Sequence, residues 1–84
     1  MAFKVFLEKK ASRQIEDLSE ELKTRIIVTL KELEKGFSAR LDIKKLKGTQ
    51  NHYRIRVGNY RILLAMESEA AYVYDVSHRG NAYK

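Results

Sequence analysis

Residues 52–66 read HYRIRVGNYRILLAM, and the reading of this stretch decides the fold. In its first six residues Tyr53, Ile55 and Val57 alternate with Arg54 and Arg56, the period of a strand with one apolar face. Gly58-Asn59 is a two-residue hairpin turn signal. Residues 60–66 (YRILLAM) are apolar on both faces and read as an inner strand. A two-residue turn fixes the register: Val57 faces Tyr60, Arg56 faces Arg61 and Ile55 faces Ile62. Directly opposed residues of an antiparallel pair share a face. Arg54, Arg56 and Arg61 therefore stand on one side of the sheet, and Ile55, Val57, Tyr60 and Ile62 on the other. Like charges directly opposite destabilise a sheet, so a fold selected for stability alone would not choose the Arg56–Arg61 pair. Three guanidiniums on an open face offer planar, bidentate donors suited to phosphate. The alternative is that they splay into solvent or pair with Glu67 or Glu69.

Working outward, Glu67-Ser68-Glu69-Ala70 supplies a second hairpin loop. Residues 71–78 (AYVYDVSH) read as another inner strand, ending at His78-Arg79, with Tyr83 four residues on. Upstream, residues 37–51 form a connector with Phe37, Leu41, Ile43 and Leu46 as apolar anchors. Residues 2–7 alternate Phe3, Val5 and Leu7 on one face and read as a first strand, whose place in the sheet the pattern does not give. Ala11, Ile15 and Leu18 mark one face of a short helix. Ser19 is a candidate N-cap for a second helix over about 19–35, whose stripe is Leu22, Ile26, Leu30 and Leu33 and whose C′ residue is Gly36. The order is β-α-α-β-β-β. This is an α+β fold, a helical hairpin packed on one face of a mostly antiparallel sheet, in a single domain spanning 1–84.

The chain has 84 residues with a net charge of +6, unevenly spread. Residues 40–61 hold seven basic side chains and one acid, Asp42. That asymmetry points to a polyanionic partner for the second half, such as nucleic acid or an acidic protein segment. With no cysteines and only two histidines, His52 and His78, neither a disulfide framework nor a closed zinc site is expected, and no cofactor is expected. No apolar run reaches signal-peptide or membrane-span length, so a cytoplasmic location is the expectation. Tyr53, Tyr60, Tyr72 and Tyr74 read as core or sheet packing, too few to form a base-stacking platform.

The run KLKGTQNHYRIRVGNYRILLAM (45–66), followed by YVYDVSHRGNAYK (72–84), resembles the RelE/ParE toxin superfamily, and within it the RelE-type mRNA interferases. The resemblance covers nearly the whole chain. It rests most on the Y-R-I-R-V strand, the G-x-Y-R-I strand and the H-R-x-x-x-Y ending. The gyrase-poisoning ParE branch shares the fold and typically lacks that ending. The resemblance implies a ribosome-dependent, metal-independent endoribonuclease that inhibits translation by cutting messenger RNA in the ribosomal A site. The substrate 2′-OH attacks the adjacent phosphate and the 5′-oxygen leaves. It further implies that Arg61 stabilises the phosphate, that Arg79 stabilises charge or protonates the leaving group, and that Tyr83 orients or stacks on a base.

The chain departs from the pattern at Arg54 and Arg56, where some members carry lysines, one of them proposed as the base. Arginine stays protonated at neutral pH and is a poor base. His78 is then the first choice, with His52, the Tyr83 phenolate, or no strong base at all and assistance from the ribosome as alternatives. The substitution is compatible with weak catalysis. Lys44, Lys45, Lys47 and Arg40, with His52, are candidate contacts to messenger or ribosomal RNA.

The resemblance also implies a cognate antitoxin protein, whose acidic side chains are expected near Arg54, Arg56 or Arg61. Two rival readings are a ParE-like inhibitor of DNA gyrase and a non-catalytic RNA-binding module.

Overall fold

The computed structural model describes residues 3–37 and 40–78. Its elements run β1 (Lys4–Leu7), α1 (Lys9–Glu16), α2 (Glu20–Glu34), β2 (Ile43–Lys45), β3 (His52–Val57), β4 (Tyr60–Glu67) and β5 (Ala70–His78). The five strands form one sheet in the order β1-β5-β4-β3-β2. Every pairing is antiparallel except β1 with β5, which is parallel. No helix among the described residues is long and apolar enough to cross a membrane.

The two helices form as the spacing predicts. In α1, Ala11 and Ile15 are buried one turn apart. In α2, Ser19 accepts a hydrogen bond from the Leu22 amide at 3.3 Å, and Glu20 and Glu21 occupy the first turn, where acids favour the helix dipole. Gly36 takes φ +109° just past the C-cap Lys35, a conformation that favours glycine. Of the expected α2 stripe, Ile26, Leu30 and Leu33 are buried while Leu22 is only half-buried.

These residues meet Ile55, Val57, Ile62, Leu64, Ala71, Val73 and Val76 of the sheet in one core. Both helices therefore cover one face of the sheet, and among the described residues nothing covers the other, the open face.

Two parts of the chain differ from the sequence expectation. The 37–51 connector contains a strand, β2, whose Ile43, Lys44 and Lys45 pair with Ile55, Arg54 and Tyr53. Three residues are too few to display a period, and β3 becomes an inner strand as a result. The second hairpin loop is also tighter than the four-residue loop expected. Glu67 pairs with Ala70, so only Ser68 and Glu69 turn the chain, with Ser68 at φ +56°.

The β4–β5 register slips between Leu63 and Leu64: Leu63 pairs with Asp75 and Leu64 with Val73, leaving Tyr74 as an extra residue in β5. A bulge of this kind resets which face each later residue occupies. It explains how Val73 and Val76, three apart, are both buried. It also reverses the parity of Ser77 and His78.

Beyond Leu7 the free edge of β5 is covered by α1. Gln14 supplies both halves of the contact, its Oε1 accepting from the Val76 amide at 2.7 Å and its Nε2 donating to Asp75 Oδ1 at 3.0 Å. This satisfies backbone that would otherwise be an open sheet edge.

Candidate nucleic-acid interface on the open sheet face

The turn at Gly58-Asn59 sets the geometry of the open face. Gly58 sits at φ +59°, which a two-residue hairpin of the II′ kind requires of its first position. The register is the one the turn predicts: Arg56 opposite Arg61, Val57 opposite Tyr60, Ile55 opposite Ile62. Arg54 lies two residues along from Arg56, opposite Leu63 on one side and Lys44 on the other. Arg54, Arg56 and Arg61 are all half-buried. The Nε atoms of Arg54 and Arg56 are buried and have no hydrogen-bond partner among the described residues. A buried donor left unmatched costs about 1–3 kcal/mol, and directly opposed like charges add to the cost. The arrangement favours an anion that would satisfy these donors.

His52 occupies the same face, two residues from Arg54 and opposite Ala65. Its Nδ1 lies 2.9 Å from the Tyr74 hydroxyl, the donor being set by the imidazole tautomer. Burial raises the Tyr74 phenol above its ordinary value, and the Asp75 carboxylate adds to this while Arg61 partly offsets it. The phenol therefore keeps its proton at neutral pH.

Asp75 stands at the rim of the face, 3.2 Å from Lys10 and accepting from Ser77 Oγ at 2.9 Å. Burial pushes its carboxyl up, but hydrogen bonds from Gln14, Ser77 and Lys10 outweigh that and hold it below the usual value.

The structure separates several residues that the sequence grouped. His78 pairs with Tyr60, their rings edge to face at 5.3 Å, on the helix side of the sheet. Because of the bulge, the residue across from Arg61 is Ser77. His78 is thus on the opposite face from the three arginines; its expected role as first choice of base is tied to its neighbour Arg79, which lies outside the described residues. Of the basic connector residues, Lys44 shares the arginine face. Lys45 pairs with Tyr53 and alternates to the other side, and Lys47 is exposed in the β2–β3 loop. Arg40 lies against α2, 4.0 Å from Glu32. Arg79 and Tyr83 lie outside the described residues.

The sequence reads Tyr53, Tyr60, Tyr72 and Tyr74 as core or sheet packing without giving the face that Tyr72 and Tyr74 occupy. Tyr53 and Tyr60 pack on the helix side as expected. Tyr72 and Tyr74 do not: Tyr72 stacks on Phe6 of β1, centroids 5.3 Å apart at 17°, and Tyr74 reaches His52. Their i, i+2 spacing was the available signal. Among the described residues no group of three or more His, Cys, Asp or Glu is placed to hold a metal ion.

Residues 5–83 match the family model described as ParE toxin of type II toxin-antitoxin system, parDE. The chain is 35% identical over 83 residues to the toxin RelE3 of Methanocaldococcus jannaschii, covering 95% of this chain and 94% of that one. It belongs to the RelE/ParE toxin superfamily, on its RelE-type branch. The RelE fold is matched in the RelB–RelE antitoxin–toxin complex from Methanococcus jannaschii, with a TM-score of 0.81 and 32% identity over 93% of this chain and 94% of that one. The archaeal RelE–RelB complex from Pyrococcus horikoshii OT3 shows the same fold at a TM-score of 0.82 and 24% identity, over 98% of this chain and 100% of that one. The chain is thus a RelE-like toxin of the toxin–antitoxin class.

Proposed function

We propose that this toxin is a metal-independent endoribonuclease that cuts messenger RNA in the ribosomal A site and so inhibits translation. The observation that carries this reading is the Arg56–Arg61 pair with Arg54 beside it, on an open face, with the Nε donors of Arg54 and Arg56 unmatched.

Cleavage of this type asks little covalent chemistry of the protein. The substrate 2′-OH loses its proton and its oxygen bonds to the adjacent phosphorus. The P–O5′ bond breaks, leaving a 2′,3′-cyclic phosphate, and the 5′-oxygen takes up a proton. Arg56 and Arg61 hold the phosphate and offset the charge that grows on its oxygens, with Arg54 extending the cradle. Arg79 stabilises charge or supplies the leaving-group proton, and Tyr83 orients a base. Arginine is a poor proton acceptor. His52 is the histidine on the arginine face, which favours it over His78 as the acceptor. Lys44 and Lys47 add general contacts to messenger or ribosomal RNA.

The partner of this toxin, on the same reading, is an antitoxin of the RelB kind. Burying the arginines is tolerable only against matched charge, so its acidic side chains cover Arg54, Arg56 or Arg61. The expected site of action is the cytoplasm.

The test is in vitro translation followed by primer extension. The reading requires cuts within A-site codons that disappear with Arg61→Ala and Arg79→Ala. The matching ParE description favours a second reading, inhibition of DNA gyrase. Trapped gyrase–DNA complexes with intact message would establish it and remove the first. RNA binding without any cleavage would instead make the domain a binding module.

A further inference from the structure

The open face has two ends of different chemistry. At one end are Arg54, Arg56 and Arg61. At the other, the row Phe6–Tyr72–Ala65–His52 crosses β1, β5, β4 and β3 in register. Phe6 and Tyr72 are stacked, Phe6 remains 47% exposed, and Tyr74 is tied to His52 across the small Ala65.

A stacked aromatic pair left half open to water is poor use of apolar surface, since about 25 cal/mol is forgone for each Å² left uncovered. The sheet itself does not need it there, because the core lies entirely on the opposite face. The aromatic row starts at His52, roughly 7 Å along β3 from Arg54, and Tyr72 and Phe6 lie two and three strands across from it, about 10 and 14 Å further. A strand of nucleic acid whose phosphates sit on the arginines and which continues across the sheet toward β1 therefore carries bases over these rings a few nucleotides on.

We infer that Phe6 and Tyr72, flanked by the His52–Tyr74 pair, form a nucleobase-stacking platform for single-stranded RNA held by its phosphates at Arg54, Arg56 and Arg61. The inference rests on the RNA reading above and adds to it a second subsite with its own chemistry. Charge complementarity selects the occupant. The arginine end calls for closely spaced anions, with the unmatched Nε donors of Arg54 and Arg56 to fill, and the aromatic end for flat apolar rings; single-stranded RNA carries both at short intervals. The platform reads rings rather than base edges, so it contributes affinity and alignment with little sequence preference.

The test uses short single-stranded RNA carrying 2′-O-methyl groups, which blocks the nucleophile, and a matching oligonucleotide with abasic positions. The chain has no tryptophan, so Phe6→Trp keeps an aromatic ring and adds a fluorescence reporter. Titration of this variant should quench its emission with RNA and not with the abasic oligonucleotide. Tyr72→Val, a residue suited to a strand, should weaken RNA binding about ten-fold or more with an unchanged salt slope. Ile27→Ser, on the exposed side of α2, is the control for loss of an exposed apolar residue.

If RNA binds and Arg56→Gln abolishes binding, yet Tyr72→Val and the abasic oligonucleotide behave as normal, the platform is wrong and the RNA reading survives. If wild-type protein binds no RNA, or Arg56→Gln changes nothing, the platform fails, and the in vitro translation assay above decides the RNA reading separately. Quenching of the Phe6→Trp variant by an acidic extended peptide but not by RNA would assign the surface to a protein and overturn the proposal. Should Tyr72→Val not fold, the Phe6→Trp titration decides alone.

Discussion

Arg56 and Arg61 stand directly opposite each other across the β3–β4 hairpin, on the face that the helices leave open. The pairing opposes like charges, and the Arg56 Nε is buried without a partner. Function accounts for it better than stability does. Replacing Arg56 by Thr, a good strand residue, should therefore stabilise the protein by about 1 kcal/mol. The same change should lower RNA cleavage about 100-fold or more. Chemical denaturation and a cleavage assay on the same preparation check both. A variant that is less stable and still cuts RNA would contradict the cradle.

The two hairpin turns make opposite predictions. Gly58 has φ +59°, and a Cβ there would lie 3.3 Å from the Arg25 guanidinium nitrogens. Arg25 can move aside, so the cost of Gly58→Ala is mainly backbone strain, about 1–2 kcal/mol. Ser68 adopts φ +56° in the equivalent position of the β4–β5 turn. Ser68→Gly should relieve that strain and raise stability by about 0.5–1 kcal/mol. Melting curves of the two variants should move in opposite directions.

The arginine cradle was legible in the sequence because a two-residue turn fixes register locally: once Gly58-Asn59 is read as the turn, the Arg56–Arg61 opposition follows. The helices were legible from Ala11 and Ile15, from Ile26, Leu30 and Leu33, and from the Ser19 cap. The position of β1 was not, since its parallel pairing with β5 joins Lys4 to Ala70 across most of the chain. Strand β2 was too short to show a pattern. The bulge at Tyr74 had the largest consequence. Strict alternation does not place Val73 and Val76 on one face; the bulge does, and it carries His78 away from the arginines while leaving Tyr72 and Tyr74 on their side. Two buried valines three apart in a strand were the signal for it.

Asp75 ties the end of β5 to α1 through Gln14 and Lys10. Its carboxyl titrates below the ordinary value in the folded protein. The stabilisation that follows is present above the unfolded pKa, near 3.9, and is lost as pH falls through the folded value. Asp75→Asn should therefore destabilise the protein at pH 7, and the gap from wild type should close under acid conditions. Denaturant midpoints measured at neutral and acid pH test the sign. A gap that widens on acidification would show that another group controls this end of the strand.

Lys44 and Lys45 are neighbours in β2 with different expected roles. Lys44 is opposite Arg54, so it extends the arginine cradle toward the sheet edge; Lys45 is opposite Tyr53 and alternates to the helix side. Each lysine that neutralises a phosphate releases a condensed counterion, contributing about 0.7 to the log–log salt slope for single-stranded nucleic acid. Lys44→Gln should reduce that slope by about this amount and weaken binding alike for all RNA sequences, because a phosphate contact reads no base. Lys45→Gln should leave slope and affinity as they were. Salt titrations of RNA binding for the two variants decide the matter. Equal losses from both would mean that RNA wraps the β2 edge instead of lying along the open face.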